Sequence, residues 1–192
     1  VMTSRFVALR HRDYRLYWIG HVVSVAGQQM QWMIEGWLIY QLSGSALLLG
    51  VNGAVQAVPA TALTLFGGAL ADKFDQRRLL IVVQALFIVV LGCLAAIGLI
   101  GILTTWHVIV GGFVLSTIGA FENPARQAMF PHLVDRKSMP SAVALNAMVH
   151  PGTRVLAPVL GGLLSAFVFG ATDSASVAGG AIFGLAAFAV GV

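Results

Sequence analysis

The chain carries very little charge. Of its 192 residues, 9% are Asp, Glu, Lys or Arg and 58% are hydrophobic, and the mean hydropathy is +0.89. A soluble domain carries about 25% charged residues. The composition therefore excludes a water-soluble globule and indicates an integral membrane protein. Cysteine is nearly absent: Cys93 alone, inside an apolar run, excludes an internal disulfide and reads as a small packing residue. Enzyme signatures are missing as well. There is no H-E-x-x-H, G-x-S-x-G or G-x-x-x-x-G-K-[ST], and the 5 histidines are scattered without metal-ligand spacing. No catalytic residue, metal or cofactor is expected.

What is present is a series of long apolar runs. A spanning helix needs about 20 mostly apolar residues, and six runs qualify as candidates: residues 16–42, 46–71, 79–101, 106–121, 141–169 and 176 to the chain end. The fourth is short and extends toward Ala128. The fifth contains Pro151 and Pro158, which predict a kink. No cleavage pattern follows the basic N-terminal residues, so the first run is expected to be retained. The last run stops at Val192 on apolar residues with no flanking charge, and the first residue is Val, so both ends read as cut.

The net charge of +4 does not point to nucleic acid, because the bases cluster in short connections. Of 11 Lys and Arg, four precede the first run, three lie between runs two and three, and three (Arg126, Arg136, Lys137) lie between runs four and five. The turns at Ser43-Gly44-Ser45, Thr104-Thr105 and residues 171–174 hold none. This asymmetry predicts a cytoplasmic N-terminal segment, residues 1–15, followed by a bundle over residues 16–192 in the cell membrane.

The runs differ in polarity. The third has Gln84 near its inner end and little else polar, and the sixth is plain after Ser176, so both can sit against lipid. In the first, His21, Ser24, Gln28, Gln31 and Glu35 are spaced 3, 4, 3 and 4, one stripe at 3.6 residues per turn. A polar stripe through about 20 Å of helix is costly in lipid, so it faces protein or water. Two readings stand: interhelical hydrogen bonding in a packed bundle, or the wall of a substrate cavity. Trp32 and Trp37 flank it, as substrate-stacking rings or as an interfacial belt. The second run adds Asn52 and Gln56 before Pro59, and the fifth adds Asn146, His150 and Arg154 on roughly one face.

Glu35 and Arg154 are the ionisable residues deepest in the runs. Each needs a partner or water. They are expected to face a common cavity and to interact directly or through water, with Glu35 as a proton carrier. The alternatives are a static structural pair, or a Glu35 that reaches the outer interface.

The stretch Gly68-Ala69-Leu70-Ala71-Asp72-Lys73-Phe74-Asp75-Gln76-Arg77-Arg78 lies between runs two and three. It resembles the loop motif of the major facilitator superfamily, G-x-L-A-D-[RK]-x-G-[RK]-[RK], with Asp75 where most members have Gly. The segments Glu122-Asn123-Pro124-Ala125-Arg126, Pro131-His132-Leu133-Val134, Ala142-Val143-Ala144-Leu145-Asn146 and Ala157-Pro158-Val159-Leu160-Gly161-Gly162 are similar to the branch containing enterobactin exporters and macrolide efflux proteins.

The resemblance implies an all-α membrane protein. Its six transmembrane helices would form two three-helix repeats, half of a twelve-helix major facilitator fold, with helices three and six outside. It also implies a secondary transporter that exports a small amphipathic molecule of the drug or siderophore class by alternating access and proton antiport. The implied partners are a small-molecule substrate, the proton, the bilayer and a missing C-terminal six-helix half. By the same resemblance, Gly68, Asp72, Lys73, Arg77 and Arg78 form a cytoplasmic latch whose acidic partner is Glu122. Pro158, Gly161 and Gly162 match part of the helix-five antiporter motif. An arginine usual within helix four is missing from Val108 to Phe121; apart from the resemblance, Arg154 on the fifth run is a candidate to take its place. A half-protein that binds a ligand or partner without transporting it stays open, with Gly180-x-x-x-Gly184 as a surface where two halves meet.

Overall fold

A computed structural model describes Ala8 and residues 11–71, 75–129 and 138–191. Its regular structure is helical throughout these residues. The six helices are α1 (Arg12–Ser43), α2 (Ala46–Ala71), α3 (Gln76–Leu99), α4 (Thr105–Met129), α5 (Met139–Thr172) and α6 (Ala175–Val190). By length and composition α2, α3, α4 and α5 can each cross a membrane, and α6 is a shorter apolar helix. The polar stripe lowers the mean hydropathy of α1, although its 32 residues extend about 48 Å.

Local chemistry sets the helix ends. Gly44 follows α1 at φ +64°, a left-handed conformation in which its N–H reaches the Tyr40 carbonyl at 2.8 Å. Asp75 caps α3: its Oδ1 accepts from the N–H groups of Arg77 at 2.9 Å and Arg78 at 3.2 Å. These are donors that the first turn of a helix leaves unpaired. The α5–α6 turn uses Asp173 at φ +51° and then Ser174, whose hydroxyl accepts from the Val177 N–H.

α1 packs against α2, α4, α5 and α6, and α4 also packs against α2 and α3. The core runs along the α1, α3, α4 and α6 faces through Ile34, Leu38, Leu91, Leu115 and Phe183. α3 and α6 meet at glycine, and a Cβ on Gly98 would lie 2.6 Å from the Gly180 Cα. No side chain fits between backbones at that distance. Ser176 Oγ ties the same crossing by donating to the Gly98 carbonyl at 3.1 Å. Gly180 thus joins helices within this bundle, correcting its expected use between two halves.

Two other expectations change. α3 does present Val82 and Val89 outward, but α6 buries Ile182, Phe183, Ala186 and Val190 and exposes mainly Leu185 and Phe188. Cys93, expected to pack, lies on the exposed face of α3. α5 runs continuously through Pro151 and Pro158. The Thr153 hydroxyl bonds back to the Val149 carbonyl at 2.8 Å beside the first proline. Gly161 and Gly162 admit Met30 and Met33 of α1.

Candidate functional site

The polar stripe of α1 turns inward. His21, Ser24, Gln31 and Glu35 are all buried, and Gln28 is half-buried. It borders a cavity of about 410 Å³. α1 supplies His21, Gln28, Gln31 and the exposed Trp32 to its wall, and α5 supplies His150 and Arg154. α4 supplies Ser116, Glu122 and Arg126, with Phe87 and Leu115 among the apolar contributors. This mixture of apolar wall and a few convergent polar groups suits a small-molecule site.

Two polar tiers link the helices here. In the first, Arg126 Nε donates to Glu122 Oε1 at 2.8 Å, and its Nη2 lies 2.7 Å from the same oxygen. Gln28 Nε2 donates to Glu122 Oε2 at 2.9 Å, and Arg126 Nη2 donates to Ser24 Oγ at 3.3 Å. Both ions are buried, and within a membrane-embedded bundle this mutual neutralisation offsets their desolvation.

The second tier lies about 10 Å further along α1. Gln31 Nε2 donates to Glu35 Oε1 at 2.7 Å, and Gln56 Nε2 of α2 donates to Glu35 Oε2 at 3.0 Å. Ser116 of α4 fixes α2 beside it by donating to the Gln56 carbonyl at 2.7 Å. Gly112 makes the tier possible: a Cβ there would lie 2.7 Å from Gln56 Nε2 and 3.2 Å from Glu35 Oε2. An aromatic column runs toward the α1 N-terminus. His21 stacks on Tyr17 with centroids 5.9 Å apart and meets His150 edge-on at 6.0 Å.

Of the ten cavity residues expected, His21, Gln28, Gln31, His150 and Arg154 line this space. Ser24, Glu35 and Gln56 bond to groups at or behind its wall. Asn52 and Asn146 do not line it. Glu35 and Arg154 form no ion pair among the described residues; the carboxylate instead meets the two carboxamides.

Arg126 is the main residue that sequence reasoning misplaced. The sequence counts it among the bases between runs four and five while letting run four reach toward Ala128; α4 runs through it to Met129, so helix four carries a base. The Glu122-x-x-x-Arg126 spacing was the available signal. Gly112, too, had no visible role before α2 and α4 were seen to pack.

Among the latch residues, Asp72 and Lys73 lie outside the described residues, and nothing is described around Gly68. Arg77 and Arg78 contribute their N–H groups to the Asp75 cap. Glu122 pairs with Arg126, and among the described residues no ion pair joins it to Arg77. No group of three His, Cys, Asp or Glu among the described residues is arranged to hold a metal.

The polar stripe on the first helix thus borders a cavity that helices four and five wall with it. Residues 3–189 match the model of a family described as transmembrane secretion effector. The chain belongs to that family of the major facilitator superfamily. It is 29% identical over 132 residues to the staphyloferrin A transporter of Staphylococcus aureus (strain NCTC 8325 / PS 47), covering 68% of this chain and 33% of that protein. It is 22% identical over 147 residues to macrolide efflux protein A of Streptococcus pyogenes, covering 77% of this chain and 36% of that protein. The chain thus spans about a third of the length of these curated relatives. No solved structure matches it significantly. The family and these relatives are multi-pass membrane transporters, not enzymes.

Proposed function

We propose that this chain is the N-terminal six-helix half of a secondary transporter in the cell inner membrane. It exports a small amphipathic molecule of the drug or siderophore class by alternating access, coupled to proton antiport. One observation carries the reading: the α1 stripe faces a cavity shared with α4 and α5 instead of packing dry against a single neighbour. The packing pattern supports a two-repeat architecture. Exchanging the triplet α1–α3 for α4–α6 turns the α1–α6 contact into α4–α3 and the α1–α5 contact into α4–α2, and all four are present. The distribution of Lys and Arg supports a cytoplasmic N-terminus. The loop from Gly68 to Arg78 serves as the conformational latch.

Glu35 is the proposed proton carrier. Its carboxyl is buried with two carboxamides and no cation. Deprotonated, it accepts from both amides; protonated, it can donate to one of them after an amide rotation. Substrate counterflow in proteoliposomes of the intact protein, with a panel of macrolides and siderophores, tests transport. Wild type should accumulate a panel member faster with an imposed proton gradient, and Glu35→Gln should lose that dependence while retaining counterflow. No counterflow with any member would favour a non-transporting binding protein. An unchanged pH dependence in Glu35→Gln would remove Glu35 from coupling.

A further inference from the structure

The charges on the cavity wall do not balance. Glu122 and Arg126 neutralise each other. Glu35 does not reach the lining and is held by Gln31 and Gln56. α2 and α3 contribute Ala60 and Phe87, which carry no charge. Arg154 of α5 is left as the cation on this wall without an acidic partner among the described residues, and it is exposed to the cavity beside His150.

A second observation is independent of charge. His21 is 5% exposed and Gln31 is 1% exposed, both line the cavity, and His21 Nδ1 and Gln31 Oε1 have no hydrogen-bond partner. While Glu35 is ionised it only accepts, and so takes the Gln31 amide N–H. That leaves Oε1 as a buried acceptor requiring an external donor. Buried polar atoms left unpaired are costly, so the wall is complete only when something polar occupies the cavity.

We propose that this cavity binds an anionic cargo. A carboxylate or comparable oxyanion engages the Arg154 guanidinium, and a hydroxyl or N–H of the same molecule donates to Gln31 Oε1. The inference rests on the transport reading for its physiological meaning, but the site itself is a binding claim. A planar guanidinium pairs with a carboxylate through two parallel hydrogen bonds, stronger than neutral ones and stronger still away from bulk water. The same excess positive charge disfavours a cationic ligand.

Two dyes sharing a xanthene frame give the test: fluorescein, a carboxylate, and rhodamine 123, the cationic methyl ester of its diamino analogue. Fluorescence anisotropy with the intact purified protein measures the affinity for each. Fluorescein should bind at least about tenfold more tightly, as one charge-assisted pair implies. Arg154→Gln should remove that preference by weakening fluorescein about tenfold or more, with the rhodamine ester bound no more weakly than by wild type, and Arg154→Lys should retain part of it. If Arg154→Gln does not fold, the wild-type preference and its retention in Arg154→Lys still decide. Equal or tighter binding of the rhodamine ester overturns the proposal. So does a preference unchanged in Arg154→Gln, which would make Arg154 a structural residue. Proteoliposome transport separates the two claims. Charge-selective binding without transport upholds the anion site and removes the export function. Transport without charge preference does the reverse.

Discussion

Arg126 and Glu122 form a salt bridge at 2.7 Å across one turn of α4, with both side chains buried and Gln28 and Ser24 of α1 completing the network. The pair does more than neutralise itself. It joins α1 to α4 at one end of the cavity, while the amides on Glu35 join α1 to α2 further along. A change in the distance between α1 and α4 must therefore break charge-assisted bonds.

Removing one partner leaves an uncompensated buried ion. Arg126→Gln or Glu122→Gln alone should destabilise the protein by about 3–5 kcal/mol. The double variant should recover much of that loss, because neither charge then remains. Thermal melts of all four proteins in one detergent, arranged as a double-mutant cycle, give the coupling. Additive losses would show that the pair does not act as a unit.

Gly112→Ala separates site geometry from fold stability. The added methyl would sit 2.7 Å from Gln56 Nε2, the end of a flexible side chain, so Gln56 can move aside. The expected result is a melting temperature close to wild type with an altered pH dependence of transport, because Glu35 loses one of its two amide donors. A wild-type profile would show that the Gln56 bond is dispensable.

Asp75, at the Gly position of the loop motif that this stretch resembles, has a structural role of its own. Its side chain caps α3. Asp75→Ala should cost about 1 kcal/mol, whereas Asp75→Gly should cost only a few tenths, since Gly is itself tolerated at an N-cap. Denaturation of the two variants side by side checks the order. Equal losses would show that the carboxylate contributes through charge and not through the cap.

These residues show what the sequence made legible. The sequence places the second helix at 46–71, and Ala46–Ala71 is helical, starting just after Gly44 ends α1. The α1 stripe was legible from spacing alone, since only one face of a helix can carry polar groups every third and fourth residue through a bilayer. Arg126 was not, because a base beside a charged segment looks like a loop until its i−4 acid is weighed. The contacts of Gly98 with Gly180, and of Gly112 with Glu35 and Gln56, join distant parts of the chain. Local periodicity has no means of encoding such pairings. No direct Glu35–Arg154 ion pair forms among the described residues, because two amides on α1 and α2 hold the carboxylate.

If the α1 stripe walls a cavity, that cavity must be open to water. Thiol labelling with a charged, membrane-impermeant maleimide tests it most directly, using intact protein in liposomes and a Cys93→Ser background. Gln28→Cys should react readily and be protected by a bound ligand, because position 28 borders the cavity. Val89→Cys should stay unlabelled, because that position is 60% exposed on the outer face of α3, a face that the apolar composition of α3 suits to lipid. Labelling at position 89 with none at position 28 would show instead that the stripe is a dry packing face with no cavity for a ligand.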